Sequence, residues 1–558
     1  MNAIRKWKEN EELNPELKAE LDAMTESELQ EAFYKHLEFG TAGMRGIIGP
    51  GTNRINVYTL RKASYGYGKY LLNKYSRPAV VIAYDTRHKS REFAEECAKV
   101  LGGMKIKVHL FPKPTPTPEL SFAVRHLQAQ GGIVITASHN PPKFNGCKFY
   151  DEYGCQLVPE LVEEVLEELA QAPDAFAIPV GDFEGLLSEG CINLLGEEVD
   201  EAYLSEVKKV AVNPKLRKED FRLVFTPLHG TAALPGEKLL HDFGYAYVTV
   251  AEQMTPDPEF RTVRYPNPED PDAFRLAIEY GKRSGADILL ATDPDADRIG
   301  VAVFDGRDYV LLSGNQTGAI LLHYLISEKK PKKNAVVFKS IVTSDLGEKI
   351  ARAAGLEVVS TLTGFKYIGD QIRLLENTDK EFFFGYEESF GYVIKPFVRD
   401  KDSLQALVVC AEAANFYKLQ GMTLLDVLEE IQREYGYHAD AVVNLEFAGK
   451  AGAERIQAIM ESFRNNRFTH FGSVNIKAAE DYLKRIRLCG NERTPLTLPA
   501  SDVLKFYLED GSWVVLRPSG TEPKLKIYFA AASPNKDEAE NRIKELQAEI
   551  LSMIEKVG

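Results

Sequence analysis

The sequence predicts a multidomain α/β protein in which three mixed-sheet α/β segments precede a smaller α+β segment. Three observations carry this. The 558 residues exceed what one hydrophobic core normally organises. Short β-branched runs alternate with amphipathic helical stretches through most of the chain, the rhythm of β-α-β units. The last hundred residues break that rhythm with closely spaced strands and one long terminal helix.

In order, residues 13–38 read as a solvent-facing helix. AVVIAY (79–84), a helix at 89–101, KVHLF (107–111), a helix at 118–130 and GGIVITAS (131–138) form the first alternation. PELVEEVLEELAQA (159–172) is an amphipathic helix, and 172–195 reads as connection rather than core. The second alternation is RLVFTPL (222–228), helix 233–243, YAYVTV (245–250), helix 272–284 and ADILLAT (286–292). The third has strands AVVFK (335–339), LEVVST (356–361) and FFFGYE (382–387), then helices 402–420 and 423–435. The final segment has strands 503–508, 513–517 and 524–530, with helices 452–466 and 535–556.

Composition narrows the function classes. The chain is 44% hydrophobic and 27% charged, ordinary for a soluble globular protein. Its net charge of −14 disfavours a general nucleic-acid binder, although a local cationic pocket can still hold an anionic substrate. The polar N-terminus is no secretory signal, and no run approaches the ~20 apolar residues of a membrane span. The six cysteines lack CxxC spacing, so reduced thiols in a cytoplasmic protein are expected. The triplet NQT (315–317) is a glycosylation sequon by pattern alone.

Four loops carry chemistry. TASHNPPKFNG (136–146) follows an apolar strand and is rich in turn formers. Ser138 at the strand end reads as a turn cap or as a nucleophile that carries a phosphoryl group. TDPDADRIG (292–300) sets Asp293, Asp295 and Asp297 at alternate positions. Such carboxylates repel unless a cation neutralises them, and hard oxygen donors point to Mg²⁺ or Ca²⁺. An EF-hand needs Gly at its sixth position and Glu at its twelfth. Arg298 and Phe304 stand there instead, and the loop lies between strands. Arg298 beside the carboxylates suits an anion held on the metal. FGYEESFGY (384–392) offers Glu387 and Ser389, either an exposed turn or a grip for sugar hydroxyls. RPSGTEPKLK (517–526) brings Arg517, Ser519, Gly520 and Thr521 together, either a hairpin turn or an anion nest.

Taken together and in this order, TASHNPP, DPDADR, GYEES and RPSGTEP resemble the signatures of the α-D-phosphohexomutase superfamily over essentially the whole chain. GTAGMRG (40–46), TPLHGTA (226–232) and TGFK (363–366) extend the match. GTAGMRG resembles the branch that holds bacterial α-phosphoglucomutases and phosphopentomutase-like enzymes. The resemblance implies a heart-shaped, four-domain protein around a central cleft. Its parts would be a phosphoserine domain (1–205), a metal-binding domain (206–314), a sugar-binding domain (315–440) and a phosphate-binding domain (441–558).

The resemblance also implies residue roles. Ser138 would be the phosphorylated residue, with Arg45 and Lys148 beside the transferred phosphate. Ser138, Asp293, Asp295 and Asp297 would hold Mg²⁺. Arg298, Thr363, Gly364, Lys366, Glu387, Ser389, Lys401, Arg517, Ser519, Gly520 and Thr521 would bind the sugar phosphate. The implied reaction interconverts α-D-glucose 1-phosphate and D-glucose 6-phosphate through a bound glucose 1,6-bisphosphate. Pentose or mannose phosphates are the alternative substrates, and a monomer or dimer in the cytoplasm is expected. Two departures stand out. Gly391 occupies a position where one branch carries His, which leaves Lys401 to supply charge. Tyr386 replaces a Gly before Glu387, with an expected effect on sugar contacts.

Overall fold

The computed structural model describes residues 2–40, 43–447, 449–519 and 524–557. Its first sheet has the strand order Phe39–Gly40, Gly43–Ile47, Phe144–Asp151, Gly131–Ile135, Ala79–Tyr84, Lys107–Leu110, Ile192–Leu194. The second runs Tyr309–Leu311, Ile299–Phe304, Ile288–Thr292, Arg222–Thr226, Ala246–Thr249. The third runs Glu357–Thr361, Ala335–Ser340, Glu381–Glu387, Gly391–Val393. The C-terminal sheet is antiparallel, from Tyr437–Glu446 through Lys524–Ser533, Trp513–Pro518 and Leu504–Leu508 to Val474–Asp481 and three further strands.

The first three sheets share one device that the sequence does not advertise. A buried strand parallel to its inner neighbour ends in a short loop, and the chain returns as an antiparallel strand. Gly131–Ile135 turns into Phe144–Asp151, Ile288–Thr292 into Ile299–Phe304, and Glu381–Glu387 into Gly391–Val393. Each of the three loops contains a non-glycine residue in the left-handed region: Ser138 at φ 52°, Ala296 at φ 58° and Phe390 at φ 64°. Such conformations are uncommon and persist where the surroundings enforce them. The carboxyl ends of parallel strands are also where open α/β sheets place their ligands.

A continuous apolar cluster ties the three α/β units together through helix Ser403–Lys418, which is buried almost all round. The C-terminal unit has its own core. A smaller cluster, with Ile341, Val342 and Leu362 against Trp513, Val515 and Tyr528, docks that unit on the third sheet.

Several expectations need correction. The single helix at 13–38 is two, Pro15–Ala23 and Glu26–Phe33, because Thr25 and Glu28 form a capping box that starts a new helix. The 172–195 stretch is not mere connection. Leu186 and Ile192 enter the first core, and Ile192–Leu194 pairs in parallel with Lys107–Leu110. Tyr386 is buried in the core of the third unit. Its ring packs where Gly318 and Gly347 leave room and stacks on Phe384, so burial in the core accounts for it. The sequon is, as expected, a pattern only: Asn315 is buried and accepts the Ser344 N–H.

Candidate functional site

Ser138 and the three aspartates meet across two sheets. The Ser138 hydroxyl donates to Asp293 Oδ2 at 2.7 Å, and Ser138 is only 3% exposed. Its own N–H donates to Thr136 Oγ1 at 2.8 Å, which helps hold the left-handed turn. Asp293, Asp295 and Asp297 are buried, and they offer ligand oxygens all within 4.8 Å of one another. Asp293 Oδ1 accepts the backbone N–H groups of Asp297 and Arg298, both at 3.0 Å, so the loop is folded around its first carboxylate.

Cations crowd this carboxylate group. Lys148 donates to Asp295 Oδ2 at 2.9 Å and to Asp297 Oδ2 at 3.3 Å. Lys401 pairs with Asp297 Oδ2 at 3.0 Å, and Arg298 reaches Asp297 and Glu269. Thr117 Oγ1 donates to Asp295 Oδ2 at 3.0 Å. Burial and the two neighbouring carboxylates push Asp293 well above the usual range. Burial also works to raise Asp295 and Asp297, but the lysines overcome it and hold both below that range. Burial likewise opposes the charge on Lys148, yet its carboxylate partners raise it and keep it an ammonium. Asp295 Oδ1 and Asp297 Oδ1 are buried with no hydrogen-bond partner. Orphaned hard oxygens on adjacent carboxylates fit a divalent cation such as Mg²⁺.

The other expected residues that are described make contacts of their own. Arg45 donates to Asn140 Oδ1 of the serine loop at 3.2 Å. Glu387 is buried and accepts the Gly364 N–H at 2.7 Å, joining the GYEES and TGFK loops. Burial, then the neighbouring Glu388, push its carboxyl up to about 7. Thr363 Oγ1 lies buried without a hydrogen-bond partner, and Ser389 is half-buried. Lys366 is buried and its ammonium sits 5.2 Å from the Tyr367 ring centroid. Burial, against Glu160 and helped by Arg517, brings Lys366 down to about 8. Arg517 donates to Tyr528 Oη at 3.3 Å, and the Ser519 N–H closes the hairpin on Lys524 O at 2.8 Å. Gly520 and Thr521 lie outside the described residues.

Three of the site loops are braced from the end of a neighbouring parallel strand or from the loop that follows it. Arg87, after Ala79–Tyr84, grips the serine loop. Thr231, after Arg222–Thr226, donates its N–H (2.8 Å) and its hydroxyl (3.0 Å) to Pro294 O in the aspartate loop. A Cβ on the adjacent Gly230 would lie 2.4 Å from Pro294 Cα, so that close approach requires glycine. Ser340, ending Ala335–Ser340, donates to Glu388 Oε2 at 3.0 Å. Sequence reasoning missed Arg87, Thr117 and Ser340. The trace it left for Arg87 was the Asp-Thr-Arg triplet directly after AVVIAY.

Comparison with known proteins bears on this geometry. Family models described as phosphoglucomutase/phosphomannomutase match in series: α/β/α domain I over 36–175, domain II over 201–306, domain III over 313–435 and the C-terminal domain over 443–549. A phosphoglucomutase of Staphylococcus aureus (strain bovine RF122 / ET3-1) is 38% identical over 523 residues, covering 92% of this chain and 93% of its own. The crystal structure of pp63/parafusin from Paramecium, in an open form, superposes with a TM-score of 0.69 at 18% identity, covering 94% of this chain and 96% of its own. N-acetylphosphoglucosamine mutase of Aspergillus fumigatus, solved with GlcNAc-6P and magnesium, gives a TM-score of 0.50 at 16% identity, covering 93% and 96%. Three α/β/α units with an antiparallel C-terminal unit, and a serine set against an aspartate triad, define an α-D-phosphohexomutase. The chain belongs to the phosphoglucomutase/phosphomannomutase family and is an isomerase of that family.

Proposed function

We propose that the chain interconverts α-D-glucose 1-phosphate and D-glucose 6-phosphate, with Ser138 as the residue that carries the phosphoryl group. The observation that supports this most is the 2.7 Å contact of Ser138 Oγ with Asp293 inside the aspartate cluster. Asp293, Asp295, Asp297 and an oxygen of phosphorylated Ser138 would hold Mg²⁺. Bound there, the ion supplies charge neutralisation to the transferred phosphoryl oxygens.

This chain's residues do the rest by position and charge, as phosphoryl transfer demands. Arg45, Lys148 and Arg298 face the transferred group. The bond from phosphorus to Ser138 Oγ breaks as one forms to the free hydroxyl oxygen of the hexose monophosphate, whose proton ends on the departing Ser138 Oγ, leaving a bound 1,6-bisphosphate and a free serine hydroxyl. Glu387 and Ser389 hold sugar hydroxyls in either orientation, beside Thr363, Gly364 and Lys366. Arg517, Ser519, Gly520 and Thr521 hold the phosphate that is not being transferred. After the bisphosphate turns over, its other phosphate returns to Ser138. Enclosing the phosphoserine keeps water from it. Glucose 1,6-bisphosphate serves as activator and intermediate, and the enzyme works as a monomer or dimer in the cytoplasm.

A coupled assay with Mg²⁺ and a trace of glucose 1,6-bisphosphate tests this. Glucose 1-phosphate turnover well above that of ribose 1-phosphate and mannose 1-phosphate, abolished in Ser138→Ala, is expected. A faster pentose or mannose rate would keep the chemistry and change the substrate. No turnover on any of the three by verified phosphoenzyme would overturn the proposal.

A further inference from the structure

Arg87 makes four hydrogen bonds into the serine loop and is absent from the roles set out above. One Nη donates to Pro141 O at 2.9 Å and to Phe144 O at 3.2 Å. The other donates to Ser138 O and Asn140 O. A single guanidinium thus gathers four carbonyls from a seven-residue turn, a task suited to a rigid, planar, multiply donating cation and not to an ammonium.

Arg87 is itself held. Asp85 Oδ2 lies 3.3 Å from its Nε, and both side chains are fully buried. Asp85 is fixed in turn by Ser90 and Thr136 hydroxyls, each at 2.6 Å. That same Thr136 hydroxyl accepts the Ser138 N–H. On the other side Phe260, from the second α/β unit, covers the guanidinium with its ring centroid 4.9 Å away. Phe260 adopts a left-handed φ of 47°. Because a trans peptide is planar, drawing the Ser138 carbonyl toward Arg87 turns the His139 N–H away from it.

From this arrangement we infer that Arg87 is a positioning residue for the phosphoryl-carrying serine, and that Phe260 makes its grip depend on contact between the first two units. Arg87 touches neither the aspartate triad nor the sugar loops by any bond described, so it acts through the backbone of residues 138–144. The inference rests on the reading of Ser138 as phosphoryl carrier.

The test compares wild type, Arg87→Lys, Arg87→Ala and Phe260→Leu for kcat and KM with glucose 1-phosphate. The melting temperature of each and the lifetime of the phosphoenzyme, by intact mass, are measured in parallel. Arg87→Lys should lower kcat about 10²-fold, the scale of an ångström-level misplacement, with little change in KM. It should also shorten the phosphoenzyme lifetime. Guanidinium ion at non-denaturing concentration should restore part of the activity of Arg87→Ala and none in Arg87→Lys. Phe260→Leu should give a smaller fall of the same kind. Wild-type kcat and phosphoenzyme lifetime in Arg87→Lys would overturn the inference, as would losses that follow melting temperature alone and are not rescued. If wild type itself fails to turn over, the underlying reading fails instead.

Discussion

A Cβ on Gly391 would lie 2.1 Å from Cδ and 2.7 Å from Cγ of Lys401. The lysine stem therefore fills the space that a side chain at 391 would need, and its ammonium ends 3.0 Å from Asp297 Oδ2. The family resemblance sets a histidine at 391 and a lysine at 401 as alternatives, and here the two exclude each other sterically. Gly391→His should destabilise the fold by roughly 1–3 kcal/mol, the usual cost of overpacking. Adding Lys401→Ala should recover most of that in thermal denaturation. Lys401→Met should leave folding near normal and cut kcat by about 10²–10³, as loss of one preorganised charge does elsewhere. A Met variant with wild-type kcat would remove Lys401 from the mechanism.

Mg²⁺ should stabilise the protein through the aspartate triad. A ligand at a hundred times its Kd adds about 2.7 kcal/mol by mass action, visible as a higher Tm. Asp295→Asn should lose that Mg²⁺-dependent shift together with turnover. EDTA should abolish wild-type activity, and restored Mg²⁺ should recover it. An undiminished Mg²⁺ shift in Asp295→Asn would place the ion elsewhere.

Asp151 should make stability fall with rising pH. Burial raises its carboxyl from the usual 3.8 to about 7, although the Cys155 N–H opposes the rise. Between those values the folded chain binds more of this proton than the unfolded chain, so stability is greatest below the window and drops as pH climbs through it. Every tenfold gain in proton affinity on folding is worth about 1.4 kcal/mol at most. Asp151→Asn keeps an acceptor for the Tyr153 and Cys155 N–H groups, at 3.0 and 2.9 Å, and should flatten the Tm profile between about pH 4 and 7. An unchanged slope would show that another group governs it.

Trp513 Nε1 donates to Asp345 Oδ2 at 3.0 Å across the contact between the third and fourth units. Lys505 adds a bond to Ile341 O at 2.7 Å. Trp513→Phe should cost about 1.5–3 kcal/mol, the worth of a hydrogen bond to a charged group, while keeping most of the apolar contact. Hydrogen exchange should rise at 341–345 and leave the first two units unaffected. Uniform exchange changes would argue against a local docking role.

The strands and the chemistry-bearing loops were legible because each leaves a local mark. Asp293, Asp295 and Asp297 alternate directly after an apolar run, and Ser138 follows another. The return strands Phe144–Asp151 and Ile299–Phe304 were missed because their pairing partners lie across a turn whose residues read only as loop. Arg87 was illegible for a different reason. Its partners are backbone carbonyls 51 to 57 residues away, which carry no residue-type signature. For Gly391 and Lys401 the family pattern suggested the exchange of charge, but not that the lysine stem fills the space beside the glycine.

Helix Leu424–Tyr435 and strand Tyr437–Glu446 are joined by one residue, Gly436, at φ 92°. The fourth unit is therefore on the shortest of tethers. When the Trp513 and Lys505 bonds break, that unit still stays at a high effective concentration beside the third, so the contact can re-form without a diffusional search.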